Sequence, residues 1–487
     1  MLNFLKREAD KTNTLNGAVT YASTMSDCLD FFATAGALRN ASEDEIVTRF
    51  VKAFAENRDI ALKTLFFARD IRGGLGERRS FRVVMRYLAE NYPETVEKNI
   101  ANIAEFGRYD DILMLMDTPS EKYAVAYIKE TLDRDINAMN EGESVSLMAK
   151  WLPSVNTSNG DSVRLGKKIA KALHMSDRDY RKMLSALRSH IRIIENNLRE
   201  KDYTFDYEKQ PSRALFKYRR AFIRNDNERY LSFIQRAKED PSILHTGTLA
   251  PHEIVAPVLR RAKISASDRE VMDTTWNALP DYAGSSNSLV VVDGSGSMYW
   301  SWGNARPIEV AESLGIYFAE HNKGAFGGHF ITFSANPRLV EIKGRDIFEK
   351  VQYCMGFNEC SNTDLKKTFD LILNTAVKNR LKQSDMPERL YIISDMEFDI
   401  CAGNSNSTVF EDAKARFAKH GYKLPQVVFW NVNSINRQQP VRMNEQGVVL
   451  VSGQSPQVFS MIEGGEVDPY SFMLSIVSAE RYERVAA

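Results

Sequence analysis

A chain of 487 residues is too long for one ordinary hydrophobic core, so two or three domains are expected. With 43% hydrophobic and 26% charged residues it has the make-up of a soluble globular protein, and 64 Lys and Arg against 64 Asp and Glu leave no net charge to argue for a partner class. The four cysteines (Cys28, Cys354, Cys360, Cys401) form no Cys-x-x-Cys pair and the seven histidines are scattered, which sets aside a zinc site and a disulfide framework and favours a reducing compartment.

No apolar run approaches the ~18 residues of a membrane span. At the start of the chain, Lys6, Arg7, Glu8 and Asp10 put charge where a signal peptide needs an apolar stretch. The expectation is a cytoplasmic protein with no membrane partner. Residues 1–280 read as α-helical. Apolar seams at three- and four-residue spacing run through Ile46, Phe50 and Phe54, through Leu62, Leu65, Phe66, Ala68 and Ile71, and through Ile100, Ile103 and Phe106. A further seam joins Met183, Leu184, Leu187, Ile191, Ile194 and Leu198. Pro93 opens a helix after a short turn. Paired helices with short connections suggest an α-solenoid, although no strict repeat period is visible.

Two features of this half bear on function. The run Ala68-Arg69-Asp70-Ile71-Arg72-Gly73-Gly74-Leu75-Gly76-Glu77-Arg78-Arg79 breaks one helix and opens another. Its glycines and Arg72, Arg78 and Arg79 could cradle a phosphate at a helix N-terminus; equally, it could be an interhelical turn whose arginines pair with Asp70 and Glu77. Then, between Asp161 and Arg224, 17 Lys and Arg face 8 Asp and Glu, a local net charge of +9 in a neutral protein. Lys167, Lys168, Arg181, Lys182, Arg188, Arg192, Lys217, Arg219, Arg220 and Arg224 are the candidate RNA contacts, interleaved with aromatics such as Tyr180, Tyr218 and Phe222. A solvated basic helix face is the alternative.

Prolines at 241, 251, 257 and 280 and the run Gly284-Ser285-Ser286-Asn287 mark a composition shift, placing a domain boundary at 280/281. Residues 281–487 then alternate: strands at 289–292, 328–334, 389–394, 426–432 and 447–452, helices at 307–322, 345–353, 364–379, 407–420 and 470–482. That alternation means βαβ units and a doubly wound, Rossmann-like, mostly parallel sheet, so the fold class is multidomain α plus α/β. The β-branched run Leu289–Val292 ends at Asp293, followed by Ser295 and Ser297. Thr363 precedes a helix, and Asp395 ends the strand 389–394. Parallel strands share one carboxyl edge, where these five can converge. One carboxylate and three hydroxyls, with a second carboxylate acting through water, make a hard oxygen set suited to Mg²⁺ or another divalent cation such as Mn²⁺ or Ca²⁺. Glu397 and Asp399 could line that site or sit on a solvated loop.

Asp-x-Ser-x-Ser at Asp293, Ser295 and Ser297, with Thr363 and Asp395 in order, resembles the metal-ion-dependent adhesion site of von Willebrand factor A domains. The resemblance implies metal-assisted binding, with a partner's acidic side chain completing the metal's coordination. The helical half followed by such a domain resembles the Ro autoantigen (TROVE) family. The whole chain is similar to uncharacterised Ro-like proteins, through Arg69–Gly74 and Gly76–Arg78, Ala149–Ser154, Tyr180–Lys182, Pro211-Ser212, Gly247–Leu249, Ile393–Asp399 and Val428–Val432. That resemblance implies a HEAT-like helical repeat that can close into a ring, and binding of misfolded or structured non-coding RNA; no DNA partner is implied.

Catalysis is disfavoured. A haloacid-dehalogenase-type phosphatase needs a second carboxylate where Ser295 stands, the Gly-x-Ser-x-Gly elbow fails at its first position, and there is no Walker loop. The expectation is therefore a non-enzymatic RNA-binding protein with a metal-dependent docking domain. The alternatives are a metal-dependent protein adaptor without RNA and, more weakly, a nuclease or phosphatase using Asp293, Asp395 and Asp399.

Overall fold

The computed structural model describes the chain apart from residues 2–8, 192, 261, 301–304, 360–362, 400–407 and 463–467. A hairpin of β1 (Lys11–Asn13) and β2 (Val19–Tyr21) precedes a helical run. The helices are α1 (Asp27–Thr34), α2 (Glu43–Glu56), α3 (Arg58–Arg69), α4 (Arg79–Asn91), α5 (Pro93–Phe106), α6 (Glu121–Asn140), α7 (Met148–Trp151), α8 (Gly160–Ala172), α9 (Asp177–Ile191), α10 (Ile194–Glu200), α11 (Ser212–Asn225), α12 (Asn227–Glu239), α13 (Pro251–Leu259) and α14 (Ala266–Asn277). Ser26, Ser42, Asn57 and Asn159 cap α1, α2, α3 and α8 by accepting a first-turn backbone N–H.

A six-stranded sheet follows: β3 (Ser288–Asp293), β4 (His329–Phe333), β5 (Leu339–Glu341), β6 (Arg389–Ser394), β7 (Gln426–Asn431) and β8 (Val448–Ser452). Their order is β5-β4-β3-β6-β7-β8, parallel except for the β4–β5 pair. Between them run α15 (Pro307–His321), α16 (Ile347–Met355), α17 (Leu365–Asn379) and α18 (Val409–Lys419), and α19 (Val458–Met461) and α20 (Pro469–Val477) follow β8. The chain is thus a mainly helical region followed by a mixed sheet with parallel strands. Among the described residues no helix is long and apolar enough to cross a membrane.

The β-branched run of β3 is buried on both faces. Val290 and Val292 pack into one core with α15, while Leu289 and Val291 pack into another with Phe369 and Leu373 of α17 and Phe417 of α18. The first of these cores runs on without a break into α1–α9. The seam between helices and sheet is tight: a Cβ on Gly36 would lie 2.7 Å from the backbone of Ser452 and Gly453. A separate core holds Ile194, Leu215, Phe222, Tyr230 and Phe233 of α10–α12.

The structure departs from the sequence expectation in four places, one of them the closing helix expected over 470–482, which ends at Val477 and gives way to a 3₁₀ turn at Glu480–Tyr482. The seam expected through Met183–Leu198 is cut: α9 ends at Ile191, Ile193 is extended (φ −72°, ψ 148°), and α10 starts anew. Leu184 and Leu187 belong to the large core and Ile194 to the separate one, so one apolar spacing serves two cores. The β1–β2 hairpin and the edge strand β5 have three residues per strand, too short for a periodic signal.

Glu312 of α15 lies in the shared core, 1% exposed, and among the described residues neither carboxylate oxygen has a hydrogen bond of good geometry, the Asn358 amide being the polar group nearby. Burial pushes its carboxyl from 4.5 up to about 7, and Asn358 offsets part of that effect. Because the folded value lies above the unfolded one, the burden on the fold is absent below pH ~4.5, grows as pH rises to about 7, and is constant beyond, at about 3 kcal/mol. Glu312→Gln is therefore expected to raise unfolding free energy by about 2–3 kcal/mol at pH 8 and to change it little at pH 4. Urea melts at the two pH values check this; an equal effect at both would contradict it.

Candidate functional site

The chain runs from β3 to β4 on one side and then crosses back to β6 on the other, so the sheet's topological switch point lies between β3 and β6. Open α/β sheets bind ligands at this place, outside the strands' carboxyl ends. Asp293 closes β3, fully buried: Oδ1 accepts the Ser295 N–H at 2.8 Å and Oδ2 the Ser394 hydroxyl at 2.6 Å. The Ser295 and Ser297 Oγ atoms are 3.1 Å apart. Asp395 follows β6, and its Oδ2 is buried without a hydrogen-bond partner among the described residues. Burial raises the Asp395 carboxyl, and the nearby Asp293 charge raises it further; burial likewise raises Asp293. Met396, next in the chain, sits in the left-handed region at φ 67°, a strained conformation for a residue with a side chain.

Thr363 Oγ1 donates within reach of the Glu397 carbonyl (3.1 Å) and Asp399 Oδ2 (3.2 Å), and Asp399 acts electrostatically on Asp293. Glu397 is spent on structure. Its carboxylate accepts from Leu15 N (2.7 Å), Asn436 Nδ2 (3.0 Å) and Gln438 Nε2 (2.6 Å), while Thr14 and Asn16 of the β1–β2 hairpin bond the Phe398 and Glu397 carbonyls. The hairpin therefore straps the loop that carries Asp395 and Asp399.

Among the described residues no three His, Cys, Asp or Glu side chains are arranged to hold a metal. A cation here would rest on hydroxyls and few carboxylates, the manner of Mg²⁺. The donor set fits one: two buried carboxylates side by side repel each other, and the orphaned Asp395 oxygen lacks a positive partner.

The second feature is a cavity of about 1520 Å³ between α7, α9, α10, α11 and the 202–210 loop. It opens where the large core and the α10–α12 core part company. Among the described residues nine Lys and Arg line it against four Asp and Glu. Of the residues singled out by charge, Arg181, Lys182, Arg188 and Lys217 are there; Arg199, Lys209 and Arg213 of the same basic span join them, as do Arg108 and Lys150 from before it. Arg181, Lys182 and Lys217 are exposed and have no acidic partner among the described residues. Trp151 lies on the wall with the Arg108 guanidinium 4.1 Å from its ring centre and the Lys150 ammonium at 5.4 Å; Lys217 sits 4.8 Å from the Tyr218 ring. Arg188 ties down the wall from α9, donating to the carbonyls of Ala149 (2.8 Å) and Leu152 (2.6 Å) and to Ser154 Oγ (2.6 Å).

The remaining candidates lie elsewhere. Arg219 is buried, bonded to Asp268 Oδ1 (2.6 Å) and the Phe216 carbonyl; Arg220 shares Asp268 from outside. Lys168 pairs with Asp117 and Glu121, Lys167 faces Asp177 at 3.7 Å, and Arg224 is exposed away from the groove. Arg192 lies outside the described residues. The Arg69–Arg79 turn packs rather than opens: Arg69 pairs with Asp111, Asp70 with Arg481, and Glu77 with Arg39. Arg72 bonds the Glu105 carbonyl (3.0 Å), Arg79 that of Ala41 (2.6 Å), and Arg78 is exposed; none of the three reaches the groove.

Residues 14–117 and 122–286, more than half of the chain, match the family described as Domain of unknown function (DUF2828). The chain belongs to the DUF2828 family. In this DUF2828 protein, residues 287–480 match a second description, Domain of unknown function (DUF7788), so the two matches meet one residue before β3. Uncharacterized protein L728 of Acanthamoeba polyphaga mimivirus is 29% identical over 512 residues, covering 96% of this chain and 87% of its own length. Among solved structures, the crystal structure of Deinococcus radiodurans RO (RSR) protein is similar at 12% identity and a TM-score of 0.41, over 94% of this chain and 100% of that one.

Proposed function

We propose that this is a non-enzymatic RNA-binding protein. In this reading residues 1–280 form a HEAT-like repeat region that can close into a ring and hold structured or misfolded non-coding RNA. Residues 281–487 form a von Willebrand factor A-type domain that docks a protein partner. The observation that carries the reading is the groove: Arg181, Lys182 and Lys217, exposed and without an acidic partner among the described residues, beside Trp151 and Tyr218 offer charge for phosphates and rings for unpaired bases. An electrophoretic shift titration with a structured RNA bearing a single-stranded tail tests it. Sub-micromolar binding that weakens steeply with salt is expected; no binding, or binding indifferent to salt, overturns it.

Asp293, Ser295, Ser297, Thr363 and Asp395 would hold a Mg²⁺ or similar ion, which supplies a positive centre for a partner's carboxylate. Mg²⁺ or Mn²⁺ is expected to raise the melting temperature of the native chain and not that of Ser297→Ala, since a ligand of the folded state alone stabilises it. Equal shifts in both would remove the ion from this site. A metal-dependent protein adaptor without RNA remains the second reading, favoured by the orphaned Asp395 oxygen and told apart by absence of RNA binding.

A further inference from the structure

Glu397 joins the loop after β6 to the N-terminal hairpin. Its backbone N–H donates to Asp395 Oδ1 (3.3 Å), and its carbonyl accepts from Thr363 Oγ1 (3.1 Å). One residue thus holds two of the five side chains that would take a cation. A hydroxyl ligates a cation through its oxygen, so its proton must go elsewhere. For Thr363 the acceptors within reach are the Glu397 carbonyl and Asp399 Oδ2 (3.2 Å), both on this loop. Asp395, tethered at Oδ1, keeps Oδ2 without a partner among the described residues.

The tip of the hairpin holds the same loop at four consecutive residues. The chain turns through Thr14–Gly17, with Gly17 in the left-handed region at φ 85° and its N–H on the Thr14 carbonyl (2.9 Å). The Thr14 hydroxyl donates to the Phe398 carbonyl, and Gly17 forms an antiparallel bridge with Asp399. The Leu15 N–H donates to the Glu397 carboxylate (2.7 Å). Asn16 Nδ2 donates to the Glu397 carbonyl (2.7 Å), the same oxygen that Thr363 reaches. Asn436 and Gln438, from the β7–β8 connection, fill out the Glu397 carboxylate. Asn16 is itself exposed, so truncating it takes little from the fold.

We propose that Leu15, Asn16 and Glu397 are positioning residues of the cation site. The hairpin tip fixes the N–H and carbonyl of Glu397, and through them Asp395 and Thr363, without touching the ion. This rests on the metal reading of the Asp293 site. Linkage is reciprocal: a bound cation tightens the hairpin's hold by the factor by which the hairpin raises cation affinity.

Calorimetric titration of the full chain with Mg²⁺ or Mn²⁺ tests this. Groups that orient a metal ligand are worth about 10- to 100-fold in affinity. Asn16→Ala is therefore expected to bind the cation at least tenfold more weakly than the native chain, while its urea midpoint moves little. Thr12→Ala is the control: it is exposed on β1, opposite Thr20, and should keep native affinity. Native affinity in Asn16→Ala overturns the proposal. An equal loss in Thr12→Ala also overturns it, since general hairpin stability would then account for the effect. A native chain with no saturable cation binding fails differently: it removes the metal reading itself, and the proposal's ground with it. Should Asn16→Ala not fold, amide exchange on the native chain decides. The Leu15 amide is expected to exchange at least tenfold more slowly at saturating Mg²⁺, and an unchanged rate overturns the proposal.

Discussion

Replacing Asp111 by alanine is expected to lower the unfolding free energy by about 3–5 kcal/mol, through the loss of the carboxylate paired with a buried charge. Asp111 is fully buried in the 3₁₀ turn Tyr109–Leu115. It accepts Arg69 Nε at 2.8 Å, Arg82 Nε at 2.6 Å and the Arg108 N–H at 3.0 Å. Arg69 is 2% exposed and cannot turn to water when Asp111 goes. Arg82 keeps Asp110 and is better placed to adapt. The double replacement Arg69→Met, Asp111→Leu removes both charges, and its cost should fall well below that of Asp111→Ala, since an apolar pair leaves no charge stranded. Urea melts measure both. A single substitution costing under about 1 kcal/mol would mean that Arg69 is solvated in a way its burial denies. Arg108 also covers Trp151, so the same turn anchors one wall of the groove.

This network bears on what could be read from residues alone. The strand at β3 was legible because burial on both faces leaves an unbroken β-branched run, and Asp293 at its end followed from sheet geometry. Ser295 and Ser297 followed from their spacing. The purpose of the Arg69–Glu77 turn was not legible, because the partners that settle it, Asp111 and Arg481, lie far along the chain. Counting charge found the basic span but ranked its members poorly. Arg219 weighed as much as Lys217, yet Asp268 on α14 takes its guanidinium out of circulation. Arg108 and Trp151 lie before the span and reach the groove only through folding. The cut at Ile193 was hidden for a related reason: apolar spacing reports that residues are buried, not in which core.

The groove can be tested by separating charge from stacking. Arg181→Gln, Lys182→Gln and Lys217→Gln together remove three exposed cations that have no acidic partner among the described residues, so stability should hold while RNA affinity falls. If each meets one phosphate of a single strand, the slope of log affinity against log salt should shrink by about 2. The loss at low salt is expected to reach about 100-fold. Trp151→Ala should behave differently: a lost base–ring stack is worth about 1–3 kcal/mol, roughly 5- to 150-fold, and involves no counterion, so affinity drops while the salt slope stays. Lys167→Gln with Arg224→Gln supplies the control, since it removes two cations of the same basic span that stand outside the groove. Should the control weaken RNA as much as the triple replacement, binding would belong to the diffuse charge of the helices. Should the triple replacement flatten the salt slope while the control leaves it intact, the phosphates lie along α9 and α11. Trp151 would then mark where the strand leaves its helix and exposes a base.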